Sequence, residues 1–256
     1  MRTITRLIVS TPLLAALLAS GSVVAQHEGH GDHKGHSKAQ HDAKAPVRKG
    51  DAYAFETCQI TGKKLGSMGD PVVKLYDGRE IRYCCGGCTK KFEKDLVTSF
   101  AKLDAKIMKD QMGLYPLKTS IVTGKLLPKK PTDFVFGNRL IRVGSDKEKA
   151  RFHKETGKFL AALNKAVIAQ QGKAYILKSC PVSGDEYGGG NGKSVDVVVA
   201  GRLVRVGCEN CTGAVEKNPS KFVALVDAAH KAKHKAKMKK DGAHKEGHDH
   251  EKGHGK

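Results

Sequence analysis

The chain of 256 residues carries 46 Lys and Arg against 26 Asp and Glu, which gives a formal net charge of +20. A balance this basic can indicate nucleic-acid binding, but the basic residues are spread along the whole chain, which is typical of a solvated, lysine-rich surface, and we expect no nucleic-acid partner. No stretch approaches the roughly 18 consecutive apolar residues of a membrane-spanning helix, so the composition argues against an integral membrane protein.

The first residues, Met1–Ala25, have the pattern of a secretory signal peptide. Arg2 and Arg6 precede the apolar run at residues 13–18, and small residues end the segment. This order of a basic, an apolar and a small-residue region is typical of a signal that is removed on export. We therefore expect a periplasmic or secreted protein.

Two segments rich in His, Gly and Lys flank the rest of the chain, at residues 26–50 and 230–256. Neither has enough apolar residues to form a core, so both are expected to be disordered or at most fraying helix. Imidazoles on a mobile chain can converge on Zn, Cu(II) or Ni, which favours weak metal capture over a merely solubilising tail. The tail histidines are His27, His30, His33, His36, His41, His230, His234, His244, His248, His250 and His254.

All seven cysteines fall in two segments with the same layout. A lone cysteine precedes a predicted hairpin and further cysteines follow it: Cys58 with Cys84, Cys85 and Cys88, and Cys180 with Cys208 and Cys211. A third copy without cysteine lies between them. An aromatic residue opens each copy and recurs about every 60 residues, at Tyr53, Tyr115 and Tyr175, which predicts three tandem repeats rather than one large domain.

The predicted repeats span residues 51–112 (repeat 1), 113–172 (repeat 2) and 173–229 (repeat 3). A unit of about 60 residues buries too little apolar surface to be stable alone. Each repeat therefore needs a metal ion, a disulfide or packing against its neighbours.

Each repeat is predicted to combine a cysteine turn, a β-hairpin and helix, an α+β arrangement. In repeat 1, strands at 72–76 and 79–83 flank Asp77-Gly78, a two-residue turn that favours positive φ. The corresponding turns are Gly137-Asn138 and Ala200-Gly201. We expect the long helix of each repeat to pack on its own hairpin and to bridge to the next repeat.

Apolar spacing predicts the helices. A short helical run covers residues 89–95, and a longer helix carries Phe100, Leu103 and Ile107 at spacings of three and four. In repeat 3, Asn218-Pro219 predicts a helix end followed by a new helix. The apolar face of that helix is predicted to contain Phe222, Leu225 and Val226.

A hairpin brings the turn before it and the helix start after it together, so three sulfurs can face one point. The predicted sets are Cys58, Cys85 and Cys88, with Cys84 as the alternative in repeat 1, and Cys180, Cys208 and Cys211 in repeat 3. A helix N-terminus favours the thiolate, which is the metal-binding form. Three thiolates with an open fourth position suit Cu(I), or Zn completed by water or a tail histidine.

Two features carry a family resemblance: the turn Cys180-Pro-Val-Ser-Gly184 and, after a hairpin, the series Cys84, Cys88, Phe92, Lys94 and Asp95. Over about 45 residues of each repeat this pattern resembles the YHS and TRASH group of small metal-binding domains. The resemblance implies a treble-clef-like fold, heavy-metal binding, and partnership with a metal transporter or efflux system. Thr61 and Ser183 replace the second cysteine of a zinc knuckle, and Gly207 stands at the position of Cys84.

Disulfides are the alternative, because cysteines in an exported protein usually oxidise. Cys85 with Cys88, or Cys208 with Cys211, could close a small structural or redox-active ring. Neither pair lies in a βαβ pattern of thioredoxin type, and no other catalytic set is apparent, so we expect a protein that is not an enzyme.

Repeat 2 is predicted to be a structural spacer. Its ligand positions hold Ser120, Ser145 and Glu148, which have little affinity for a thiophilic ion.

Overall fold

The computed structural model describes residues 47–188 and 193–243, with side chains up to residue 238 in the last helix. Each repeat contains a two-stranded antiparallel sheet followed by helices, which confirms the α+β class. The predicted signal peptide lies outside the described residues. So do these tail histidines: His27, His30, His33, His36, His41, His244, His248, His250 and His254.

The elements follow the same order in the three repeats. Repeat 1 contains strands β1 (Val72–Tyr76) and β2 (Arg79–Tyr83) and helices α1 (Gly86–Glu93) and α2 (Leu96–Gln111). Repeat 2 contains β3 (Thr132–Phe136), β4 (Arg139–Val143), α3 (Asp146–Lys154) and α4 (Thr156–Gly172). Repeat 3 contains β5 (Val195–Val199), β6 (Arg202–Val206), α5 (Thr212–Lys217) and α6 (Pro219–Ala243).

The three hairpins form at the turns predicted from the sequence. Asp77 and Gly78 both have positive φ, 47° and 81°, and Ala200 and Gly201 share this geometry. Such a turn matches the right-handed twist of the strands that it joins. At Gly137, φ is 59° and a Cβ atom would lie 2.4 Å from the carbonyl oxygen of Lys49, so only glycine fits.

The long helices bury the predicted apolar faces with two exceptions, the half-buried Phe100 of α2 and a residue of α6. Leu103 and Ile107 of α2 are buried, as are Phe222 and Val226 of α6. Leu225 was expected in that face but is exposed, and the buried side chain beside Phe222 and Val226 is Val223.

Helix α6 continues to Ala243, so residues 230–243 of the C-terminal tail are helical, which is one of the two states expected for this segment. Alanine and lysine alternate over much of this segment, and both are good helix formers. Its 25 residues are rich in lysine, and among the described helices none is both long and apolar enough to cross a membrane.

The long helices of repeats 1 and 2 also pack against the hairpin of the next repeat. Helix α2 lies on β3 and β4, and α4 lies on β5 and β6. The buried Gln111 side chain donates a hydrogen bond to the carbonyl of Asn138 (2.8 Å) and accepts one from the N–H of Leu140 (2.9 Å). Gln171 makes the equivalent pair of bonds to the hairpin of repeat 3. These glutamines fix the position of each hairpin relative to the preceding helix.

Contacts between repeats 1 and 3 close the arrangement. The Asp51 carboxylate accepts hydrogen bonds from the Arg139 guanidinium (2.7 Å) and the N–H of Ala200 (2.6 Å), which joins all three repeats. Arg82 donates a hydrogen bond to the carbonyl of Lys217 at the end of α5 (2.6 Å). The described residues therefore belong to one compact unit in which the three hairpins converge.

Candidate metal centre

A tight turn places the first cysteine of the site. The N–H of Cys58 donates to the carbonyl of Lys63 (2.8 Å), and the N–H of Gly62 donates to the carbonyl of Cys58 (2.9 Å). Gly62 has a φ of 68°, a conformation that favours glycine. Repeats 2 and 3 contain the same turn, with Ser120 and Cys180 in the position of Cys58.

The exit of the hairpin supplies the other sulfurs. Cys84 follows β2 directly, and Cys88 lies in the first turn of α1. The sulfurs of Cys58, Cys84 and Cys88 all lie within 4.8 Å of one another, and those of Cys84 and Cys88 are 3.6 Å apart. All three side chains are at most 2% exposed. The fold thus gathers three sulfurs in the core of repeat 1.

The structure brings Cys84 into this group where the sequence favoured Cys85. Cys85 is the N-cap of α1 and is extended (φ −163°, ψ 166°). Successive side chains of an extended segment point to opposite sides, so when Cys84 faces Cys58, Cys85 faces outward. Cys85 is half-buried, and its sulfur still lies 3.7 Å from that of Cys88.

The environment of the Cys58 thiol stabilises its anion. Burial raises the pKa and is the largest single influence, but the backbone N–H groups of Cys84, Thr61 and Ile60, with the Thr61 hydroxyl, together lower it to about 6. Cys58 is therefore mainly a thiolate at neutral pH.

The pKa of Cys88 is shifted in the opposite direction. Burial, followed by contacts with the neighbouring thiols, raises its pKa to about 12. The expectation that the helix N-terminus would favour a thiolate at both cysteines of the pair is wrong for Cys88, whereas the pKa of Cys85 is lowered by hydrogen bonds from the Cys88 thiol and from backbone N–H groups. Burial outweighs the helix N-terminus at the inward-facing residue.

Thr61 occupies the position of a knuckle's second cysteine. Its hydroxyl lies 3.3 Å from the sulfur of Cys84. A threonine hydroxyl stays protonated and is a poor metal ligand, so this side of the site offers no fourth soft donor.

Repeat 3 contains only part of this arrangement. Cys208 and Cys211 have sulfurs 3.6 Å apart, and Cys180 is buried beside Gly207, which stands where repeat 1 has Cys84. A Cβ atom at residue 207 would lie 3.7 Å from the sulfur of Cys180. Among the described residues, the cysteines of repeat 1 are the only His, Cys, Asp or Glu side chains that form a close group of three.

The thiols of repeat 3 follow the pattern of repeat 1. Burial raises the pKa of Cys180, but hydrogen bonds from Ser183 and the N–H groups of Gly207 and Val182 lower it overall to about 7. Burial and the neighbouring thiols raise the pKa of Cys211 to about 11.

Repeat 2 fills the corresponding space with a carboxylate. Glu148, at the position of Cys88, accepts hydrogen bonds from the hydroxyls of Ser120 and Thr123 and from the N–H of Gly144. These bonds, that of Ser120 first, hold the pKa of Glu148 below its usual range. Ser145, predicted to stand at a ligand position, instead caps α3 by accepting from the N–H of Glu148.

The described histidines are not part of the close group of cysteines. His230 and His234 are exposed on α6, four residues apart. His153 packs against the rings of Phe134, Phe136 and Phe152 in repeat 2.

Cys84, which completes the close group, was expected from the sequence only as the alternative to Cys85. Strand alternation does not identify Cys84, because Cys85 continues the series of core residues Ile81 and Tyr83, whereas Cys84 follows Arg82 in the series of the opposite side. The shared position of Cys85 and Cys208 in the two repeats also favoured Cys85.

Comparisons with known proteins add no assignment: no protein-family model, curated protein or solved structure matches the chain.

Proposed function

We propose that this protein binds a thiophilic metal ion, Cu(I) or Zn, and that Cys58, Cys84 and Cys88 are the ligands. The observation that carries the proposal is the close group of three buried sulfurs. Thiolates select soft and borderline metals, and a bound cation compensates the cost of burying their negative charge.

The donor set favours Cu(I) over Zn. A structural zinc site has four ligands in a tetrahedron, whereas three thiolates suit Cu(I) in trigonal coordination. Thr61 lies where a fourth sulfur would stand, and its hydroxyl contacts Cys84. Zn binding would require water or a tail histidine as the fourth ligand.

The fold of each repeat fits a small treble-clef-like metal domain of the YHS and TRASH type, and we propose this relationship from the residues that carry it. A turn with one cysteine, a hairpin and a helix N-terminus with a further cysteine are the parts that such a site needs. The middle repeat is then a degenerate copy in which Glu148 replaces the metal-binding cysteine.

We propose an exported binding protein rather than an enzyme. The signal-like segment at residues 1–25 supports export, and the histidines of both tails support weak capture of Cu(II), Ni or Zn. A metal transporter or efflux system is the proposed partner class.

Two alternative roles are proposed for the cysteines of repeat 3. Its three cysteines can form a second, weaker metal site. Alternatively, Cys208 and Cys211 can form a structural or redox-active disulfide, because Gly207 removes one sulfur from the group while the Cys-x-x-Cys pair keeps its sulfurs 3.6 Å apart.

Native mass spectrometry of the protein purified from the periplasm tests these proposals together, because the mass reports both bound metal and hydrogens lost to disulfides. We expect one tightly held metal ion that Cys58→Ser and Cys84→Ser each remove. A chain that contains disulfides and no metal would contradict the metal site and support the disulfide alternative.

A further inference from the structure

Cys85 is the sulfur that the close group does not use. It lies one residue from Cys84, and both sulfurs are near that of Cys88, at 3.7 Å and 3.6 Å. Cys84 is buried with Cys58 and Cys88, whereas Cys85 is half-buried. A soft ion bound by the buried sulfurs would therefore have the sulfur of Cys85 on its solvent side, and this sulfur contacts the ligand Cys88.

The surface beside Cys85 is left open by two glycines. Gly86 and Gly87 form the first turn of α1 and are exposed. A Cβ atom at residue 86 would meet no atom within 4 Å, and one at residue 87 would meet only the sulfur of Cys85, at 3.9 Å. Neither glycine has positive φ, so the backbone does not require them.

The other repeats have larger residues at these two positions. Repeat 2 has Asp146 and Lys147, and repeat 3 has Glu209 and Asn210, all exposed. Glycine is less favourable than other residues in a helix. Its presence here, in the repeat with the complete sulfur group, is accounted for by access to Cys85.

We propose that Cys85 is an exchange thiol, through which a thiolate-held metal ion passes between the buried sulfurs and a partner protein that presents cysteine thiolates. This inference rests on the proposed metal site and names its route of loading and release.

The exchange is a substitution without redox change. The Cys85 thiolate forms a bond to Cu(I) while the ion leaves one partner thiolate, and Cys88, Cys84 and Cys58 then replace the remaining partner sulfurs and Cys85. Copper stays in the +1 state throughout. Each cysteine that is protonated before it becomes a ligand releases its proton to water, and each displaced thiolate is free to take one up.

An exchange thiol speeds transfer without contributing to the final affinity. Loading and release rates must therefore fall by the same factor when it is removed, because their ratio is the equilibrium constant. A structural ligand behaves differently, since its loss weakens binding and speeds release.

The test uses the full chain with Cys208→Ser and Cys211→Ser, so that only repeat 1 loads with Cu(I). Affinity is measured by competition with bathocuproine disulfonate. Loading is followed by stopped flow from the Cu(I) complex of a two-cysteine peptide, and release is followed to the same peptide without metal. Cys85→Ser should slow both directions by about tenfold or more, equivalent to about 1.4 kcal/mol of activation free energy, while the affinity stays within about threefold.

A second variant tests access without touching a sulfur. Gly86→Glu with Gly87→Asn copies the residues of repeat 3 and should slow exchange in both directions at unchanged affinity. Gly213→Ala, an exposed helical glycine of α5 with no neighbouring atom within 4 Å of its Cβ position, is the matched control and should leave the rates unchanged.

Three results separate the outcomes. Unchanged rates in both the Cys85→Ser and the double-glycine variant would overturn the exchange role, as would a large loss of affinity in Cys85→Ser, which would make Cys85 an equilibrium ligand. Cu(I) binding that survives Cys58→Ser and Cys84→Ser would instead contradict the proposed metal site itself.

Discussion

Ser120 and Glu148 of repeat 2 stand at the positions of Cys58 and Cys88 in repeat 1, and the serine hydroxyl donates a hydrogen bond to the carboxylate. The same turn and helix start are thus held together by a hydrogen-bonded carboxylate in one repeat and by a cluster of sulfurs in the other. Repeat 2 keeps the geometry of the site without its thiol donors.

Replacing Glu148 with Gln should destabilise the protein. The carboxylate accepts three hydrogen bonds, and loss of its charge weakens them, at a cost of about 1 to 3 kcal/mol at pH 7. The metal stoichiometry should not change, because repeat 2 has no thiol. Urea denaturation measures the first effect and metal analysis the second; a loss of bound metal would mean that repeat 2 takes part in binding.

The same carboxylate predicts a pH dependence. Its pKa is lower in the folded state, so its contribution is fully present above the unfolded pKa, about 4.3, and is lost as the pH falls through the folded value. The stability difference between the parent and Glu148→Gln should therefore be constant from about pH 7 to about pH 5.5 and shrink below about pH 4. A difference that grows on acidification would contradict the hydrogen-bonding role.

Exchanging Cys84 and Gly207 between the repeats should exchange their affinities. Gly207→Cys places a third sulfur beside Cys180, with its Cβ 3.3 Å from that of Cys180, so a small local shift accommodates it. Repeat 3 should then bind Cu(I) about as tightly as repeat 1, and Cys84→Gly should weaken repeat 1. Competition titrations of one repeat, with the cysteines of the other repeat changed to Ser, measure the two sites separately. An unchanged affinity in both variants would show that residue 84 is not a ligand position.

The convergence of the hairpins depends on Asp51. Arg139 is 2% exposed and bonds to this carboxylate, so Asp51→Ala leaves a buried guanidinium without its ion-pair partner. We expect a loss of about 3 to 5 kcal/mol in the free energy of unfolding. The exposed pair of Lys49 and Asp77 provides the control, since Asp77→Asn should change stability by less than about 1 kcal/mol. Equal losses of stability in the two variants would show that Asp51 does not hold the hairpins together.

The two described tail histidines should bind weakly held metal as a pair. His230 and His234 are one helical turn apart on exposed α6, so their imidazoles lie on one face. Changing both to Ala preserves the helix and should remove weak Cu(II), Ni or Zn equivalents but not the tightly bound ion. A number of weakly bound ions equal to that of the parent would show that this pair binds none of them.

The sequence predicted the local structure of the repeats well, because its signals are local. The turn residues Asp77-Gly78 and Ala200-Gly201 specify hairpins that the structure contains at those residues. The length of α6 was left open, because low apolar content is compatible with disorder whereas alanine and lysine favour helix.

The convergence of the three repeats could not be predicted, since it depends on pairs distant in the chain such as Asp51 with Ala200. The choice of Cys84 over Cys85 could be predicted only in part. It depends on which of two successive side chains faces the turn, and the structure places Cys84 there.

X-ray absorption spectroscopy at the copper edge is the most direct test of the proposed site. The sample is the chain with Cys85→Ser, Cys208→Ser and Cys211→Ser, loaded with one equivalent of Cu(I), which leaves Cys180 as the only other cysteine. We expect a first shell of three sulfurs, and a change to two sulfurs on adding Cys84→Ser. A shell of nitrogen and oxygen, or one that Cys84→Ser does not alter, would contradict the proposed site.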